Sequence, residues 1–555
     1  MHAIVERLLR QRGVVDYEKF FNPSLADLAK PEELPGVTAA VDKMIEAVKC
    51  GRRIVVFGDY DCDGVCATAI LALALKAIGA NVDTFLPKRL DEGYGMSDES
   101  VVRMLGDFPG VELVVTVDNG INSISQIAEL RSEGIETIVT DHHLPSVNMF
   151  GQILLPNAVA IVNPKVAAPE HLQELCGASV AFLIANALTE AATACGLYSG
   201  PKIGGPLLIL AGLATVTDVM PIVGQNRILV AESLKRFHTW APLGLKELYA
   251  RASRTAAPVL TTKDYGFLIG PRINAAGRVA SGEESLELVL TDDREIAREA
   301  ARIVDGRNVE RKQKESGMVD EAMAKVVEGA PAQVIDLPDG HQGVAGIVAA
   351  RIMERVHVPT GVLAGPHGSA RAPEGYNVRD ALKACSKYLT RYGGHAAAAG
   401  FSVKEGMVDA FREAFCAECT KQSATIDNSS LITHTSSLKF DLEIQPSDLT
   451  LELAEEIAKM EPFGEGNKEP VFLFRNAALS EVRFLGQDAK HLAFTANGFK
   501  AVWWGHADLV EELRASSGFA DIAFTVEIST YGEPHVEIRP VSISRVEHKE
   551  KIQAV

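Results

Sequence analysis

Short apolar runs alternate with helix-like segments over the first part of the chain. The runs that predict strands are residues 54–60, 82–86, 112–117 and 135–140. Between the first two, residues 65–79 are almost all apolar or small and are expected to form a helix buried against the sheet. This alternation predicts an α/β fold with a doubly wound parallel sheet.

The middle of the chain is predicted to be mainly helical. Residues 177–250 have a helical pattern, whereas residues 263–282 contain too many glycines and prolines for one regular helix. Residues 284 to about 328 are rich in Ala, Glu and Arg and predict a long helix that connects two domains.

A second, smaller α/β unit is predicted after this connecting helix. Strands are expected at 334–336 and 359–363, a helix at 343–356, and a tight turn at Gly368–Arg371. Residues 424–436 are rich in Ser and Thr and predict a linker.

Short strands dominate the last part of the chain. They are predicted at 471–474, 478–485, 491–495, 500–504, 522–528 and 535–538. This number of short strands favours a small β-barrel, of which the OB-fold is the nucleic-acid-binding example. Aromatic side chains there either stack on bases or belong to the barrel core: Phe494, Phe499, Trp503, Trp504 and Tyr531.

These patterns divide the chain into five predicted parts. They are an N-terminal helical segment (1–50), an α/β domain (51–283), the connecting helix (284–329), a smaller α/β domain (330–423) and the OB-like barrel (437–548).

Composition and charge narrow the class of protein. The net charge of −18 disfavours non-specific nucleic-acid binding overall, although residues 294–314 and 371–395 carry an excess of basic residues. Eight scattered cysteines, with one CxxC at Cys416 and Cys419, favour a reducing compartment over disulfides. No signal segment or sufficiently long apolar stretch is evident, so we expect a soluble cytoplasmic protein without a membrane partner.

The chemistry is predicted to centre on three alternating carboxylates. Asp59, Asp61 and Asp63 follow the first strand, and on an extended chain they would project to the same side. Such close like charges require a cation, and a hard divalent metal is the natural partner. An EF-hand is excluded because its twelfth position would be Ile70, whereas a plain acidic turn stays open for this stretch alone.

Other apolar segments also end at groups that can bind metal. Asp118 follows the run at 112–117, Asp141-His142-His143 follows the run at 135–140, and Asp218 follows a long apolar segment. We expect each of the three strand-like runs to be followed by a helix. Ligands bind at the carboxyl ends of strands in an open parallel sheet, so all these groups are expected to meet in one crevice.

The ordered motifs resemble those of the DHH phosphoesterase superfamily. They are residues 58–64, Asp118-Asn119-Gly120 and Asp141-His142-His143. Within that superfamily, residues 271–278, 393–395 and 461–467 resemble RecJ-like single-stranded-DNA exonucleases, over nearly the whole chain. The resemblance implies 5′-to-3′ hydrolysis of single-stranded DNA to mononucleotides in DNA repair and recombination.

The resemblance also implies roles for particular residues. One or two Mn²⁺ or Mg²⁺ ions would be held by Asp61, Asp63, Asp118, His142 and Asp218, with Asp118 between them. His143 would face the scissile phosphate and Asp141 would orient the histidines, with Asp59 as a further catalytic residue. Substrate contacts would come from Arg89, Arg272, Asn274, Ser369, Arg371, Gly394 and His395. Among these, Arg89 and the segment Gly368–Arg371 would form a pocket for a 5′ phosphate, with Ser369 and Arg371 as the contacting residues.

Two positions depart from the family pattern, and two other functions stay open. Phe57 stands where many relatives have a metal-binding histidine, and Lys468 where a proline is usual. The same metal motifs would serve a phosphoesterase for cyclic dinucleotides or short oligonucleotides, or a non-catalytic replication scaffold. No P-loop is evident, which argues against an ATP-driven motor. Single-strand-binding protein and a helicase are expected partners of a monomer.

Overall fold

The computed structural model describes residues 1–93, 95–201, 204–253, 257–425, 438–486, 488–514, 518–529 and 533–545. Tyr531 and nearly all of the predicted linker at 424–436 lie outside these residues. The chain divides into two compact units, Leu25–Asn428 and Met1–Ser24 with Ser429–Val555. Helices α1 (Ala3–Gln11) and α2 (Tyr17–Phe21) belong to the second unit, so the predicted N-terminal segment 1–50 is shared between the units.

A parallel sheet forms the centre of the first unit. Within the described residues its strands are β1 (Arg53–Phe57), β2 (Asn81–Phe85), β3 (Leu113–Val117), β4 (Glu136–Thr140) and β5 (Ala160–Val162). The order is β2-β1-β3-β4-β5, and every neighbouring pair is parallel. The predicted doubly wound sheet is therefore confirmed, and the strand order reverses between β1 and β3. Ligands bind at such a switch point in open parallel sheets.

Helices cover both faces of this sheet. They are α3 (Val37–Lys49), α4 (Cys62–Ala77), α5 (Asp98–Asp107), α6 (Ile124–Ser132), α7 (Pro164–Ala167) and α8 (Gly177–Ala194). Farther from the sheet, α9 (Gly204–Thr217) packs against α4 and α8, α10 (Gly224–Trp240) packs against α9, and α11 (Leu243–Ala252) follows. α4 is buried around nearly its whole circumference, as its apolar composition predicted. The expected helix after β4 is absent from the described residues between β4 and β5, where the chain is mostly irregular.

The glycine-rich segment is helical. A π-helical turn (Asp264–Ile269) leads directly into α12 (Gly270–Val279). Its glycines permit close packing, because a Cβ at Gly277 would come within 2.5 Å of the Tyr60 carbonyl oxygen. Glycine therefore marks helix contacts here and does not end the helix.

The predicted connecting helix consists of two helices. α13 (Glu283–Leu290) and α14 (Arg294–Ala324) are separated by a short break. Asp293 caps α14, since its Oδ1 accepts hydrogen bonds from the backbone N–H groups of Glu295 at 2.8 Å and Ile296 at 3.0 Å. An N-cap of this kind starts a new helix where composition alone predicted continuity.

A smaller mixed sheet follows. Its strands are β6 (Gln333–Leu337), β7 (Thr360–Ala364), β8 (His367–Arg371), β9 (Leu389–Gly394) and β10 (Ala398–Val403), in the order β6-β7-β8-β10-β9. Its helices are α15 (Gln342–Val356), α16 (Val378–Ala384) and α17 (Val408–Thr425). The turn predicted at Gly368–Arg371 is wrong, because these residues form strand β8. Gly368 is required there by packing, since a Cβ would lie 2.4 Å from the Phe401 ring.

The second unit contains a closed barrel, as predicted. After β11 (Leu442–Glu443) and α18 (Leu451–Ala458) come β12 (Phe472–Leu485), β13 (His491–Ala496), β14 (Phe499–Trp503), the short helix α19 (Val510–Arg514), β15 (Phe519–Ser529) and β16 (His535–Arg545). Pairing of β12 with β15 closes the barrel. The runs predicted at 471–474 and 478–485 form one strand, β12, with two irregularities in its pairing.

One described helix passes a length and composition test for a membrane span. This helix is α8, and 67% of its apolar window is buried inside the protein. Burial of this extent is typical of a core helix, and α8 packs against α4 in the main hydrophobic core.

Candidate metal centre

The three aspartates after β1 stand at a strand-to-helix turn. β1 ends at Phe57 and α4 begins at Cys62. Asp61 caps α4, because its Oδ1 accepts a hydrogen bond from the backbone N–H of Gly64 at 3.0 Å. Asp63 consequently projects from the first helical turn. The carboxylates come together through this turn, and the expected alternation along one extended strand is wrong.

The start of α8 holds the carboxylate of Asp63. Oδ2 and Oδ1 accept hydrogen bonds from the backbone N–H groups of Gly177 at 2.7 Å and Ala178 at 2.8 Å. The positive end of the helix dipole favours a carboxylate in this position. Gly177 also lies against Asp118, where an added Cβ would approach the Asp118 Cβ to 2.6 Å. Only glycine allows the two carboxylates to come so close.

His142 joins carboxylates from three other segments. Its Nε2 lies 3.0 Å from Oδ1 of Asp118, 3.6 Å from Oδ2 of Asp63 and 3.7 Å from Oδ2 of Asp218. Asp118 follows β3 with φ at 60°, a left-handed conformation that non-glycine residues rarely adopt and that often marks functional sites. Asp218 follows helix α9, so its approach depends on helix packing.

Asp141 holds the adjacent histidine. Its Oδ1 lies 2.7 Å from Nδ1 of His143 and accepts backbone hydrogen bonds from His142 at 2.7 Å and His143 at 3.1 Å. Its Oδ2 accepts one from Ile121 at 3.0 Å. Burial acts to raise the pKa of Asp141, but the hydrogen bond and charge of His143 outweigh it and leave this pKa below its usual value. Asp141 is therefore an ionised orienting group.

The metal-capable atoms form three overlapping groups. Within each group the ligand atoms lie within 4.8 Å of one another. The groups are Asp118, His142 and His143; Asp63, His142 and Asp218; and Asp59, Asp61 and Asp118. Asp118 and His142 each belong to two groups, so neighbouring cations would share these residues.

Burial and mutual repulsion leave the carboxylates poorly suited to carry charge by themselves. Burial raises the pKa of Asp59, Asp61 and Asp118, and neighbouring carboxylates raise these pKa values further. For Asp218, burial followed by the charges of Asp63 and Asp61 raises the pKa to about 8. A bound divalent cation reverses this balance, because it stabilises the ionised carboxylates.

The donor set suits a hard divalent cation. Both side-chain oxygens of Asp59 are fully buried, and neither accepts a well-formed hydrogen bond within the described residues. Carboxylate oxygens with one or two imidazoles suit Mg²⁺ or Mn²⁺, and Mn²⁺ tolerates nitrogen better. Phe57 is buried with its ring 4.9 Å from that of Phe85, so this departure from the family pattern supplies no ligand.

Three arginines gather beside these carboxylates. The guanidinium of Arg89 lies 5.1 Å from the ring centroid of Tyr60, which stands between Asp59 and Asp61 in the sequence. Burial and the nearby charge of Arg89 lower the pKa of Arg278 to about 10. Burial, followed by the charge of Arg89, also lowers the pKa of Arg371. A cluster of repelling cations is relieved by an anion, and guanidinium groups are complementary to phosphate.

Strand β8 and helix α15 shape one side of this arginine cluster. The Nη1 of Arg371 donates to the Ser369 hydroxyl at 2.9 Å and to the Ala370 carbonyl at 2.8 Å. On α15, a Cβ at Gly346 would lie 2.6 Å from the Arg371 Nη2 and 2.9 Å from the Ser369 Oγ. The glycine leaves the space that these two predicted substrate residues occupy.

An ion pair fixes the loop that carries Arg89. The Glu92 carboxylate accepts hydrogen bonds from the Arg103 Nε at 2.5 Å and Nη2 at 3.0 Å, and from the Lys88 backbone N–H at 2.8 Å. Arg103 also donates to the Leu86 carbonyl at 2.7 Å. Both ends of the loop are thus tied to α5, which orders the backbone on either side of Arg89.

The other predicted substrate residues have different surroundings. Asn274 accepts a hydrogen bond from the Cys62 backbone N–H at 2.8 Å, so it buttresses the turn between Asp61 and Asp63. Arg272 instead pairs with Asp305 at 2.9 Å on α14. Gly394 and His395 lie in the exposed β9–β10 hairpin. In the described part of the chain, no hydrogen bond or ion pair links them to the carboxylates.

Sequence reasoning missed Gly177, Glu92, Arg103 and Arg278. Arg278 had a usable signal, because it stands four residues after Asn274 and therefore on the same face of α12. Arg272 stands on a different face. Rejecting a regular helix over 263–282 concealed this periodicity.

Family models match three parts of the chain. The DHH family N-terminal domain matches residues 53–200, the DHHA1 domain matches 329–421, and the RecJ OB domain matches 440–538. A parallel sheet that gathers carboxylates and the DHH histidines at its carboxyl edge, followed by DHHA1, defines the class as a DHH-family protein.

Similar proteins narrow the assignment. The chain is 36% identical to the single-stranded-DNA-specific exonuclease RecJ of Dickeya dadantii, over 98% of this chain and 92% of that protein. It is also 36% identical to the RecJ of Thermus thermophilus, over 86% of this chain and 66% of that protein, slightly under two thirds of its length. The chain belongs to the RecJ family.

Solved structures agree with this membership. The Thermus thermophilus RecJ with Mn²⁺ superposes with a TM-score of 0.83 at 32% identity, covering 98% of this chain and 76% of that one. The same protein with Mg²⁺ gives a TM-score of 0.76 at 31% identity, covering 98% and 74%. These relatives thus bind the two cations that the donor set here suits.

The raised pKa values predict how the stability of metal-free protein depends on pH. The Asp218 carboxyl binds its proton up to about pH 8 when folded, but only to its ordinary pKa near 4 when unfolded. The folded state therefore binds more protons between these values, and stability falls as pH rises from about 5 to 8. In EDTA, the melting temperature of wild type should therefore fall relative to that of Asp218→Asn as the pH rises over this range.

Excess Mn²⁺ should raise the wild-type melting temperature most at the alkaline end, because the ligands must be deprotonated to bind. A difference between Asp218→Asn and wild type that stays flat with pH in EDTA would contradict the shifted pKa. Asp42→Asn, which removes one charge from an exposed aspartate on α3, serves as the charge control.

The Glu92–Arg103 pair predicts local order in the loop that carries Arg89. Glu92→Gln removes a charge-assisted interaction worth about 1.5–3 kcal/mol, so amide exchange of residues 88–92 should accelerate by about 10- to 100-fold. Hydrogen-exchange mass spectrometry measures this, with β2 as an internal reference. Asp91→Asn, which removes the same charge from an exposed neighbour, should leave the exchange unchanged. Equal effects of the two variants would argue against the pair.

Proposed function

We propose that the chain is a metal-dependent exonuclease that hydrolyses single-stranded DNA from its 5′ end to mononucleotides, in DNA repair and recombination. The observation that carries the proposal is the meeting of Asp63, Asp118 and Asp218 around the imidazole of His142 at the switch point of a parallel sheet. Family membership, with relatives named as single-stranded-DNA-specific exonucleases, supports the substrate.

We assign the metal-binding role to five residues. They are Asp61, Asp63, Asp118, His142 and Asp218, with Mn²⁺ or Mg²⁺ as the ion. Two such ions would supply an activated water and stabilise charge on the leaving oxygen. Asp118 is suited to stand between two ions because it belongs to two of the three groups of ligand atoms.

His143 is the proposed group that faces the scissile phosphate. Burial acts to lower its pKa, but the hydrogen bond and charge of Asp141 raise this pKa to about 9. A protonated His143 at neutral pH would place a positive charge beside a phosphate and could give a proton to a departing oxygen. Asp141 keeps the imidazole in position. Asp59, whose ligand atom lies within 4.8 Å of those of Asp61 and Asp118, would add negative charge to the same centre once a cation favours its ionised form.

The arginine cluster is the proposed pocket for a 5′ phosphate. Ser369 supplies a hydroxyl, and Arg89 and Arg371 supply charge, as the sequence predicted. We add Arg278, because it is half-buried and its charge interacts with those of Arg89 and Asp61. A pocket that binds one phosphate beside the metal ligands would allow the adjacent phosphodiester to reach those ligands.

The barrel is the proposed binding site for more distant nucleotides. Of its predicted stacking residues, Phe494 is in the barrel core, whereas the side chain of Trp504 is 61% exposed. Trp504 is therefore the better candidate for base stacking. The expected protein partners, monomeric state and cytoplasmic location stay predictions.

The central test is hydrolysis of 5′-labelled DNA with Mn²⁺. Release of labelled mononucleotide from a single strand, and much less from a blunt duplex, would support the proposal. A dinucleotide substrate provides a second arm, because a small-substrate phosphoesterase would prefer it over the long strand. Absence of metal-dependent release from either substrate would refute the proposed enzyme.

Asp118→Asn should abolish nearly all hydrolysis, by at least about 1,000-fold, because electrostatic groups at the reacting centre dominate catalysis. The variant should stay folded, and in EDTA it should melt no lower than wild type because one repelling charge is removed. Rates measured on single-stranded DNA test this, with the exposed Asp42→Asn as the matched control. A rate close to that of wild type would remove Asp118 from the centre.

Arg278→Ala and Arg371→Ala should each reduce the preference for a 5′-phosphorylated strand over a 5′-hydroxyl strand. Loss of one charged hydrogen bond corresponds to about 10- to 100-fold in the ratio of kcat/KM values. Arg379→Ala removes an exposed arginine from α16 and should keep the wild-type ratio. An unchanged ratio in both pocket variants would exclude this phosphate pocket.

A further inference from the structure

An ordered hairpin projects from the segment between β4 and β5. Val147 and Ile153 form a β-bridge, and the backbone N–H of Leu154 donates to the carbonyl of Ser146 at 2.8 Å. Asn148 closes the tip, because its Oδ1 accepts hydrogen bonds from the backbone N–H groups of Phe150 at 2.9 Å and Gln152 at 3.0 Å. We call residues 146–154 the β4–β5 hairpin.

The base of the β4–β5 hairpin is tied to the edge of the sheet where the metal ligands lie. Asn122, four residues beyond Asp118, accepts a hydrogen bond from the Ser146 backbone N–H at 2.7 Å and donates to the Leu144 carbonyl at 3.0 Å. The His143 carbonyl accepts a hydrogen bond from the Asn163 side chain at 3.0 Å. Only two residues thus separate the proposed catalytic histidine from the start of the hairpin.

The hairpin exposes apolar side chains and carries no charge. Met149 is 90% exposed and Phe150 is 79% exposed at the tip. Other exposed apolar side chains in and beside the hairpin are Leu144, Val147, Ile153, Leu154 and Leu155. Residues 144–159 contain no Asp, Glu, Lys or Arg, in a chain of net charge −18. An exposed apolar surface of this kind marks an interaction site.

Strand order indicates what reaches this surface. Along the carboxyl edge of the sheet, Arg89 follows β2, the aspartates around Asp61 follow β1, Asp118 follows β3, and the histidines and then the hairpin follow β4. The metal ligands therefore lie between the arginine pocket on one side and the hairpin base on the other. A strand whose 5′ phosphate lies in the pocket and whose next phosphodiester lies at the ligands continues toward the hairpin.

We propose that the β4–β5 hairpin is a contact surface for single-stranded DNA on the 3′ side of the cleaved bond. Met149 and Phe150 pack against exposed bases. This inference rests on the proposed exonuclease function and on its polarity. Unpaired bases present apolar faces that stack on aromatic side chains, with about 1–3 kcal/mol per base. Because the hairpin has no acidic residues, it does not repel the phosphates of a bound strand as the rest of this negatively charged chain would.

The test compares long and short substrates with the double variant Met149→Ala/Phe150→Ala. On a 5′-phosphorylated single strand of about 20 nucleotides, kcat/KM should fall about 5- to 100-fold, the equivalent of one stacked base. On a 5′-phosphorylated dinucleotide, which has only one nucleotide beyond the cleaved bond and should end before the hairpin tip, kcat/KM should stay within about twofold of wild type. Phe150→Tyr, made alone in the wild-type chain, keeps the aromatic face and should retain most of the wild-type rate on the long strand.

A binding measurement provides a readout independent of turnover. In the full-length Phe150→Trp variant with EDTA, addition of the same strand should quench fluorescence beyond the change seen in wild type, which has three native tryptophans. Equal losses on both substrates would indicate a structural effect and overturn the proposal. An unchanged long-strand rate, or no added quenching, would also overturn the proposal. The exposed hairpin would then be a binding surface for a protein partner or a second copy of the chain. Wild type that cleaves neither substrate would instead refute the proposed function.

Discussion

Repulsion among buried carboxylates is the constraint on which the catalytic unit depends. Asp59, Asp63 and Asp118 are buried and Asp61 is half-buried beside them. Each pKa for which a shift is resolved is raised by burial first and by neighbouring charges second. The fold tolerates this because a rigid parallel sheet and several packed helices hold the backbone. A bound cation removes this repulsion, so the free energy that the repulsion costs the metal-free fold contributes to the affinity for the cation.

The neighbouring pair of Asp141 and His143 behaves in the opposite way. Here a carboxylate faces an imidazole, so the pKa of Asp141 is lowered and that of His143 is raised to about 9. Consecutive histidines consequently have different roles. Burial lowers the pKa of His142, which keeps a neutral nitrogen among the carboxylates, whereas His143 retains its proton. Pairs of groups whose environments push their pKa values apart typically divide acid and ligand roles in this way.

Sequence reasoning succeeded for the functional residues that directly follow strands. Asp118 and His142 were predicted to meet because both follow apolar runs, and parallel strands bring their carboxyl ends to one edge. Reasoning failed where glycine had a packing role. Gly277 and Gly368 were interpreted as breaks, yet each provides room for a neighbouring group inside a regular element. Composition cannot separate these uses of glycine, because the neighbouring atom comes from a distant part of the chain.

The predicted phosphate residues show the same limit. Ser369 and Arg371 were chosen within a supposed turn, and they nevertheless lie together because alternate residues of a strand share a face. Arg272 was expected from the family resemblance, whereas Arg278 was missed because the helical period of α12 was not recognised. A signal that spans four residues was thus lost through one error in secondary structure.

Two clusters of like charge therefore stand side by side, and the charge of each offsets only part of the repulsion inside the other. The carboxylates suit a divalent cation, and the arginines around Arg278 suit an anion. On the proposed assignments, a phosphorylated strand end with its metal ion would supply both charges. Affinity for metal and affinity for the phosphate end are then thermodynamically linked, and reciprocity requires that each ligand strengthen the binding of the other by the same factor.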